Sequence, residues 1–210
     1  MEFSEVVRKR RMVRNYDPDR PVPQPVLTEL LELAIRAPSA GFSQGWHFLV
    51  LDTAEDRAVF WNATAEPADE PDPWLLGLQS APVLILAMSD KLAYINRYAA
   101  PDKGWTDRDE ARWPVPYWDI DTGMASLLIL LGAVDQRLGG CFFGVPAERH
   151  DGVKQALGIP DRLCVIGVIS VGHPAPDRKS PSLKRGRRPL TEVVSYGRMR
   201  PGGDPVAPEG

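Results

Sequence analysis

The sequence has few residues of the kinds that bind structural metals or form disulfides. Cys141 and Cys164 are its two cysteines, and they form no C-x-x-C motif. Both lie in apolar stretches that suit strands, where a free thiol behaves as a small hydrophobic group. The three histidines, His47, His150 and His173, are scattered without partner spacing. We therefore expect no metal site, no histidine acting as a catalytic base, and a reducing, cytoplasmic environment.

Long apolar runs are also missing. The longest, residues 124–134, is shorter than the roughly 20 residues that a membrane-spanning helix needs. The amino end lacks the apolar segment of a signal peptide. No G-x-G-x-x-G motif follows a predicted strand, and the sequence contains neither a P-loop nor a G-x-S-x-G motif. We therefore expect no membrane association, and we do not expect a Rossmann enzyme, an NTPase or a common hydrolase.

Basic residues are concentrated near the two ends of the chain, although the net charge is only −3. One group consists of Arg8, Lys9, Arg10, Arg11 and Arg14. A second, over residues 178–200, has eight basic residues against one acidic residue. Residues 52–121 lean acidic, so a nucleic-acid surface would have to be built from the ends alone. A single phosphate needs only a few cations, which favours a phosphate-bearing small molecule over nucleic acid as the partner.

Helical and strand-like segments alternate along the chain, which predicts an α+β or α/β fold. With 210 residues, 43% of them hydrophobic, we expect one domain over residues 1–197 and a flexible tail over residues 198–210. Helices are predicted near residues 3–7, 27–36, 57–65, 119–138 and 146–157, and strands at residues 48–51, 82–88, 141–145 and 163–171. Residues 66–73 and 89–117 are predicted to be loops. Asp119 and Asp121 should favour the amino end of the long helix, and Gly139-Gly140 should end it.

Residues 34–52 join the end of a helix, an open loop and a core strand. Apolar residues recur at helical spacing up to Ala34, and Pro38 ends the helix near Arg36. Apolar residues 48–51 then form a buried strand. Between helix and strand lie small residues that let a ligand approach the backbone: Ser39, Ala40, Gly41, Ser43 and Gly45.

Two motifs in this sequence resemble those of the FMN-dependent nitroreductases, a family of NAD(P)H oxidoreductases. The family's loop reads roughly A-P-S-x-x-N-x-Q-P-W-x-F, and the matching residues here are Ala37, Pro38, Ser39, Gln44, Trp46 and Phe48. The family's amino-terminal R-R-S-V-R-like run is matched by Arg10, Arg11, Met12, Val13 and Arg14. Phe42 stands where the family usually has Asn, Gly45 where it has Pro, and Met12 where it has Ser.

The resemblance implies a fold, a cofactor and a set of binding residues. The fold would be a mixed central sheet flanked by helices, in an intertwined homodimer. The cofactor would be FMN, with NAD(P)H as reductant and a small, aromatic acceptor. The backbone of Phe143 and Gly144 would lie near the reactive flavin N5, and no protein nucleophile is needed. By the same resemblance, FMN would be bound by Arg10, Arg11, Arg14, Pro38, Ser39, Ala40, Ser43, Gln44, Phe143 and Gly144, together with Arg185 and Arg187.

Each of these segments also has a simpler interpretation. The arginines could form a solvated helix face, the polar loop could be an ordinary surface loop, and residues 141–146 could be a plain core strand. For the whole protein, the first hypothesis is a ping-pong oxidoreductase acting on an aromatic nitro compound, quinone or similar acceptor. The alternatives are a family relative with different flavin chemistry, such as dehalogenation or flavin breakdown, and a non-catalytic flavin-binding protein or basic-ended adaptor.

The polar segment 89–117 and the residue that follows it are unusually rich in large aromatic residues. A long non-periodic loop is a common place for substrate specificity, and flat side chains suit stacking. We therefore predict that Trp105 and Trp113, with Phe42, form the wall or lid of an acceptor site. The alternative is that these aromatic residues anchor the loop to the core. The residues concerned are Tyr94, Tyr98, Trp105, Trp113, Tyr117 and Trp118.

Overall fold

The fold is built on a four-stranded antiparallel sheet with strand order β1-β2-β4-β3, seen in a computed structural model that describes residues 1–65, 73–177 and 180–199. The strands are β1 (Trp46–Leu51), β2 (Val83–Asp90), β3 (Gly139–Phe143) and β4 (Leu163–Gly172). β2 pairs with β1 on one side and with β4 on the other. The described strands pair antiparallel, and an isolated bridge between Met12 and Gly140 runs parallel.

Helices cover both faces of the sheet, which confirms the α+β class. They are α1 (Phe3–Lys9), α2 (Gln24–Ala34), α3 (Ala54–Thr64), α4 (Pro73–Gln79), α5 (Lys91–Tyr98), α6 (Tyr117–Asp135) and α7 (His150–Ala156). α2 and α6 pack on one face, against Ile85 and Ile169. Phe60 of α3 and Val153 of α7 pack on the other, against Leu84. Successive β2 residues thus face opposite cores, which explains why this strand is apolar from Val83 to Met88.

Several predicted boundaries agree with the structure to within a few residues. Thr53 caps α3, since its side chain accepts a hydrogen bond from Asp56 N. α2 ends at Ala34, two residues before the predicted end, and β1 begins at Trp46, two residues before the predicted start. The predicted helix over residues 146–157 is a 3-10 turn followed by α7.

The prediction that Gly139-Gly140 ends the long helix is wrong. α6 ends at Asp135, and the chain then reverses through Arg137, which has a φ of 59°. The two glycines instead begin β3, where they allow close packing. A Cβ on Gly139 would lie 2.7 Å from the Val13 side chain, and one on Gly140 would lie 2.9 Å from Leu130.

The prediction that residues 89–117 form one non-periodic loop is also wrong. The segment contains α5 and a 3-10 turn at Glu110–Arg112. Asp90 starts α5, because its Oδ1 accepts hydrogen bonds from Leu92 N at 2.9 Å and Ala93 N at 3.3 Å. α4 was not predicted either. Of the predicted loop at residues 66–73, Pro73 begins α4, and the others lie outside the described residues.

The chain divides into two compact units, Met1–Asp177 and Arg178–Gly210. The described part of the second unit contains 3-10 turns at Pro181–Arg185 and Leu190–Glu192. The single domain over residues 1–197 stays a prediction, and most of the predicted tail lies outside the described residues.

α6 is the one helix in the described ranges with the length and composition to cross a membrane, but it packs against the sheet and buries eight residues.

Candidate cofactor site

The strand register places two of the predicted binding segments at one end of the sheet. β1 begins where Trp46 pairs with Ser89, and β4 begins close by, where Cys164 pairs with the same serine. β3 runs antiparallel to β4 and ends at Phe143, opposite Val168. The 38–45 loop, which leads into β1, and Gly144, which follows β3, therefore lie at the same end of the sheet on opposite edges.

The arginine run, residues 10–14, lies along the outer edge of β3 near its start. Met12 forms a bridge with Gly140, and Val13 N donates a hydrogen bond to Gly140 O at 3.0 Å. Three strand spacings separate this edge from β1, which corresponds to about 14 Å between the edge strands. Within one chain, the arginine run and the 38–45 loop therefore lie on opposite edges of the sheet.

The 38–45 loop has a tightly turned backbone. Three of its residues have positive φ: Gly41 at 61°, Phe42 at 55° and Gln44 at 50°. This region is unfavourable for residues that have a Cβ. Two serines stabilise the turn from within, since Ser43 Oγ donates to Ala40 O at 2.6 Å and Ser39 Oγ accepts from Gln44 N at 3.0 Å.

Residues outside the loop hold it at three further points. Ala40 N donates to Asp121 Oδ2 at 2.8 Å, Arg97 Nε donates to Gly41 O at 3.0 Å, and Asp90 N donates to Gly45 O at 2.7 Å. Two tyrosine rings of α5 also pack against the loop glycines. A Cβ on Gly45 would lie 2.5 Å from Tyr94 Cε2, and one on Gly41 would lie 2.6 Å from Tyr98 Cε2. The glycine that replaces the family's usual proline at position 45 thus makes room for the Tyr94 ring.

The arginine run carries more positive charge than the neighbouring residues neutralise. Asp177 is its acidic neighbour: Oδ2 accepts from Arg14 N at 3.0 Å and lies 3.8 Å from Arg11 Nη1. Arg10 Nη1 is buried and has no hydrogen-bond partner among the described residues. The backbone behind the run is fixed, because the buried Tyr16 hydroxyl donates to Val13 O at 2.6 Å. An anion at this position would give an acceptor to the buried Nη1 of the half-buried Arg10.

The backbone at the end of β3 has an exposed donor. Gly140 O points away from β4 toward Val13, and backbone groups alternate in direction along an antiparallel strand. Phe142 therefore directs its polar groups to the free edge, whereas Phe143 directs its groups toward β4. The same alternation, continued one residue past the end of the strand, would turn the Gly144 N–H outward, and a Cβ there would meet nothing within 4 Å.

The aromatic cluster comprises Tyr94, Tyr98, Trp105, Trp113, Tyr117 and Trp118. Trp113 is at its centre, with ring centroids between 4.6 and 6.1 Å from those of the other five. Two ion pairs hold the segment that carries it: Arg97 binds Asp102 at 2.6 Å, and Arg112 binds Asp107 at 2.5 Å. Through Tyr94 and Tyr98 this cluster packs directly against the 38–45 loop.

The remaining predicted residues have less structural context. Arg185 and Arg187 belong to the second unit, so their role in binding a phosphate stays a prediction. Phe42 is 75% exposed, as a residue open to an acceptor would be. Burial raises the pKa of the Cys141 and Cys164 thiols, which disfavours reactive thiolates. In the described ranges, no group of three His, Cys, Asp or Glu residues is placed to hold a metal ion.

The sequence interpretation missed Asp121, Asp177 and Arg97. Asp121 was assigned to the helix dipole, yet it is 2% exposed and binds the 38–45 loop. An acidic residue beyond the first turn of an apolar helix was the available signal, because a buried carboxylate needs donors. Asp177 and Arg97 had no comparable signal, since their partners are distant along the chain.

The excess positive charge of the arginine run would suit a phosphate group, and the 38–45 loop and the exposed strand edge offer backbone groups to a ligand. Comparison with known proteins gives the family. Residues 7–173 match the Nitroreductase family, and the chain belongs to it. It is therefore an oxidoreductase-family protein.

Three relatives illustrate the range of similar proteins. An "NADH dehydrogenase" of Thermus thermophilus is 30% identical over 205 residues, covering 90% of this chain and 92% of the relative. A "4-nitrobenzoate reductase" of a Nocardioides species is 28% identical over 228 residues, covering 92% and 89%. A crystal structure from Desulfovibrio desulfuricans, solved in complex with FMN, has 25% identity and a TM-score of 0.69, covering 95% and 99%.

Proposed function

We propose that this chain is an FMN-dependent oxidoreductase that uses NAD(P)H to reduce a small aromatic acceptor, such as a nitro compound or a quinone. The observation that carries the proposal is the buried, unpartnered Nη1 of Arg10 within a run of three arginines. A buried guanidinium N–H without an acceptor costs free energy, and a terminal phosphate would supply one. The FMN complex of the Desulfovibrio relative supports the identity of the phosphate compound.

The residues present fit FMN in two places. Arg10, Arg11 and Arg14 would hold the phosphate, because guanidinium groups match phosphate oxygens bidentately. The 38–45 loop would hold the ring and ribityl chain through its backbone and the side chains of Ser39, Ser43 and Gln44. When bound, FMN supplies the redox chemistry, since it accepts two electrons from a nicotinamide and passes them to an acceptor.

The chain's own contribution is binding and electrostatics. The outward N–H of Gly144 is placed to donate to a ring nitrogen, and the arginine run favours added negative charge nearby. The relatives named NADH dehydrogenase and 4-nitrobenzoate reductase support the reductant and the acceptor class. Reductant and acceptor are expected to use the open face in turn, which gives ping-pong kinetics. Free Cys141 and Cys164 suit a reducing cytoplasm as the compartment.

The cofactor assignment is tested with the purified protein. Mass analysis of the released chromophore should identify FMN, and NADH or NADPH should bleach its visible absorption. An aromatic nitro compound or a quinone should then restore the absorption. Release of FAD, or no flavin after reconstitution, would contradict the assignment. A protein that binds FMN but is not bleached by either nucleotide would be a flavin-binding protein and not a reductase.

A homodimer is part of the same proposal. The arginine run and the 38–45 loop lie on opposite edges of one sheet, and in a dimer the loop of one chain would meet the arginine run of the other. α6 offers a surface for this, because Tyr117, Ile120 and Leu127 lie on one face of the helix and are 37–46% exposed. Phe3 and Val7 of α1 are exposed apolar residues as well.

The dimer is tested by sedimentation at micromolar concentration. Leu127→Glu places a charge in the proposed interface and should yield a monomer that no longer retains FMN. Val59→Glu on α3 is a matched control, since Val59 is 40% exposed but lies outside this face. A Leu127→Glu monomer that still binds FMN tightly would show that one chain holds the cofactor alone.

A further inference from the structure

Asp121 is a buried carboxylate that receives two hydrogen bonds at one oxygen. Oδ2 accepts from Ala40 N and from the Tyr94 hydroxyl, both at 2.8 Å. Asp121 is 2% exposed and Tyr94 is fully buried, so water does not compete for these bonds. Burial, followed by the hydrogen bond to Asp121, raises the pKa of Tyr94 well above its ordinary value. The tyrosine hydroxyl therefore stays protonated and acts as the donor.

The Asp121–Ala40 bond is made at the start of the strained part of the loop. Ala40 opens the 3-10 turn Ala40–Phe42, and positive φ values follow at Gly41, Phe42 and Gln44. Each positive φ at a residue with a Cβ costs about 1 kcal/mol, so such a backbone persists only where its surroundings impose it. Without anchors, the loop would relax to less strained conformations.

We propose that Asp121 and Tyr94 are positioning residues that hold the 38–45 loop in its flavin-binding conformation before the cofactor arrives. Asp121 fixes the backbone at Ala40. Tyr94 fixes Asp121 through its hydroxyl and supports Gly45 with its ring. Trp113 and Trp118 pack on the Tyr94 ring and hold it in turn. The inference rests on the proposed function, because the loop's ligand is taken to be the flavin ring and ribityl chain.

A loop that is held in place binds its ligand without first losing conformational freedom. If the binding conformation falls from nearly all of the population to a tenth, the apparent affinity falls about tenfold. The loss should be equal for FMN and for riboflavin, which lacks the phosphate, because the loop is proposed to contact the part that the two share. A defect in the arginine run would instead affect FMN alone.

The first test is Tyr94→Phe, which removes the hydroxyl and keeps the ring. FMN and riboflavin affinities should both fall roughly tenfold. In the cofactor-free protein, amide hydrogen exchange at Ala40 should become faster. Thr122→Val is the matched control, since it removes a buried hydroxyl on the neighbouring residue that donates to Trp118 O at 2.7 Å and makes no bond to Asp121 in the described structure. It should change neither flavin affinity nor exchange.

Asp121→Asn and Asp119→Asn provide a second pair on the same helix. Asp119 accepts from Ser89 Oγ at 2.5 Å, so its amide variant disturbs a bond to β2 and leaves the loop untouched. Asp121→Asn should weaken both flavins and speed exchange at Ala40, and Asp119→Asn should do neither. Asp121→Ala removes both carboxylate oxygens. It should weaken flavin binding and speed exchange at Ala40 more than Asp121→Asn does.

The possible outcomes separate this inference from the proposed function. Tyr94→Phe and Asp121→Asn proteins that lose thermal stability with unchanged flavin affinity and unchanged exchange at Ala40 would overturn it, leaving a purely structural contact. A loss of affinity for FMN alone would overturn it as well. If the unmodified chain binds no flavin, the proposed function fails, and the exchange at Ala40 alone then decides whether these residues hold the loop.

Discussion

The 38–45 loop and the arginine run differ in how far the chain itself satisfies them. The loop receives or donates hydrogen bonds at Ala40, Gly41 and Gly45, all to groups of the same chain. The arginine run has a fixed backbone, yet it leaves Arg10 Nη1 buried without a partner in the described structure. Groups of the same chain form the loop's hydrogen bonds, whereas one guanidinium nitrogen of the arginine run has no acceptor in the described structure.

Under the proposed function, the two segments would contribute to flavin binding in different ways. The loop would contribute through shape, because its conformation is already imposed by α5 and α6. The arginine run would contribute through charge, because a phosphate would give Arg10 Nη1 an acceptor. Changes near the loop should therefore alter stability and binding of any flavin, whereas changes in the arginine run should alter binding of the phosphate alone.

Removing the centre of the aromatic cluster should have the largest effect. Trp113→Ala takes away a ring in contact with five others and is expected to lower the free energy of unfolding by about 3 kcal/mol. Chemical denaturation measures this change in the free energy of unfolding. Trp105→Ala, with ring contacts to Tyr98 and Trp113, should cost less.

The same pair of variants decides between a lid and an anchor. If Trp105 lines the acceptor site, Trp105→Ala should change kcat/KM for aromatic acceptors while flavin reduction by NAD(P)H stays the same. If both variants lose stability with no change in acceptor preference, the cluster only supports the loop. The acceptor site would then be sought around the exposed Phe42.

The arginine run should give the next largest effect, with the opposite signature. Arg10→Ala is expected to weaken FMN binding about 10- to 100-fold, since a hydrogen bond to a charged group contributes about 1.5–3 kcal/mol. Riboflavin affinity and thermal stability should stay nearly constant. Arg8→Ala is the control, because Arg8 is exposed and bonds Ser4 within α1. Equal losses for FMN and riboflavin would contradict a phosphate site here.

Acidification should give the smallest effect, through the exposed pair that holds Arg97. Hydrogen bonds from Arg97 keep the pKa of the Asp102 carboxyl below its ordinary value of 3.8. A carboxyl with a lowered pKa stabilises the folded state above its unfolded-state pKa, and this is lost as the pH falls through the folded-state pKa. The difference in Tm between the wild type and Asp102→Asn should be constant from pH 7 to 5, shrink as the pH falls below about 3.8, and vanish only below the lowered folded-state pKa. A difference that changes near neutral pH would show that another group is responsible.

Much of the fold follows from local sequence signals. The Thr53 cap of α3 involves residues three apart, and the buried strand β2 is apolar at nearly every position. Such features depend on a few neighbouring residues, so the sequence predicts them well. The two proposed binding motifs were identified by their resemblance to the nitroreductase family, which was possible because each is a short continuous stretch.

What could not be predicted depends on contacts between distant residues. Gly139 and Gly140 resemble a helix stop, but their small size is required by Val13 and Leu130. Asp121 is suited to a helix dipole by its position, yet it meets Ala40 across 81 residues of sequence. Asp90 both ends β2 and caps α5, so in the sequence the start of this helix resembles the start of a loop.

The free edge of β3 bears on how the protein is produced. Beyond the bridge at Gly140, the outward backbone groups of β3 face no other strand of the described chain. An open strand edge can pair with a second molecule and start aggregation. β3 is short, with five residues, and Pro146 soon removes a donor. A flavin at Gly144 would cover what remains exposed. The cofactor-free chain should therefore be the form that aggregates, and the supply of flavin during expression should set the yield of soluble protein.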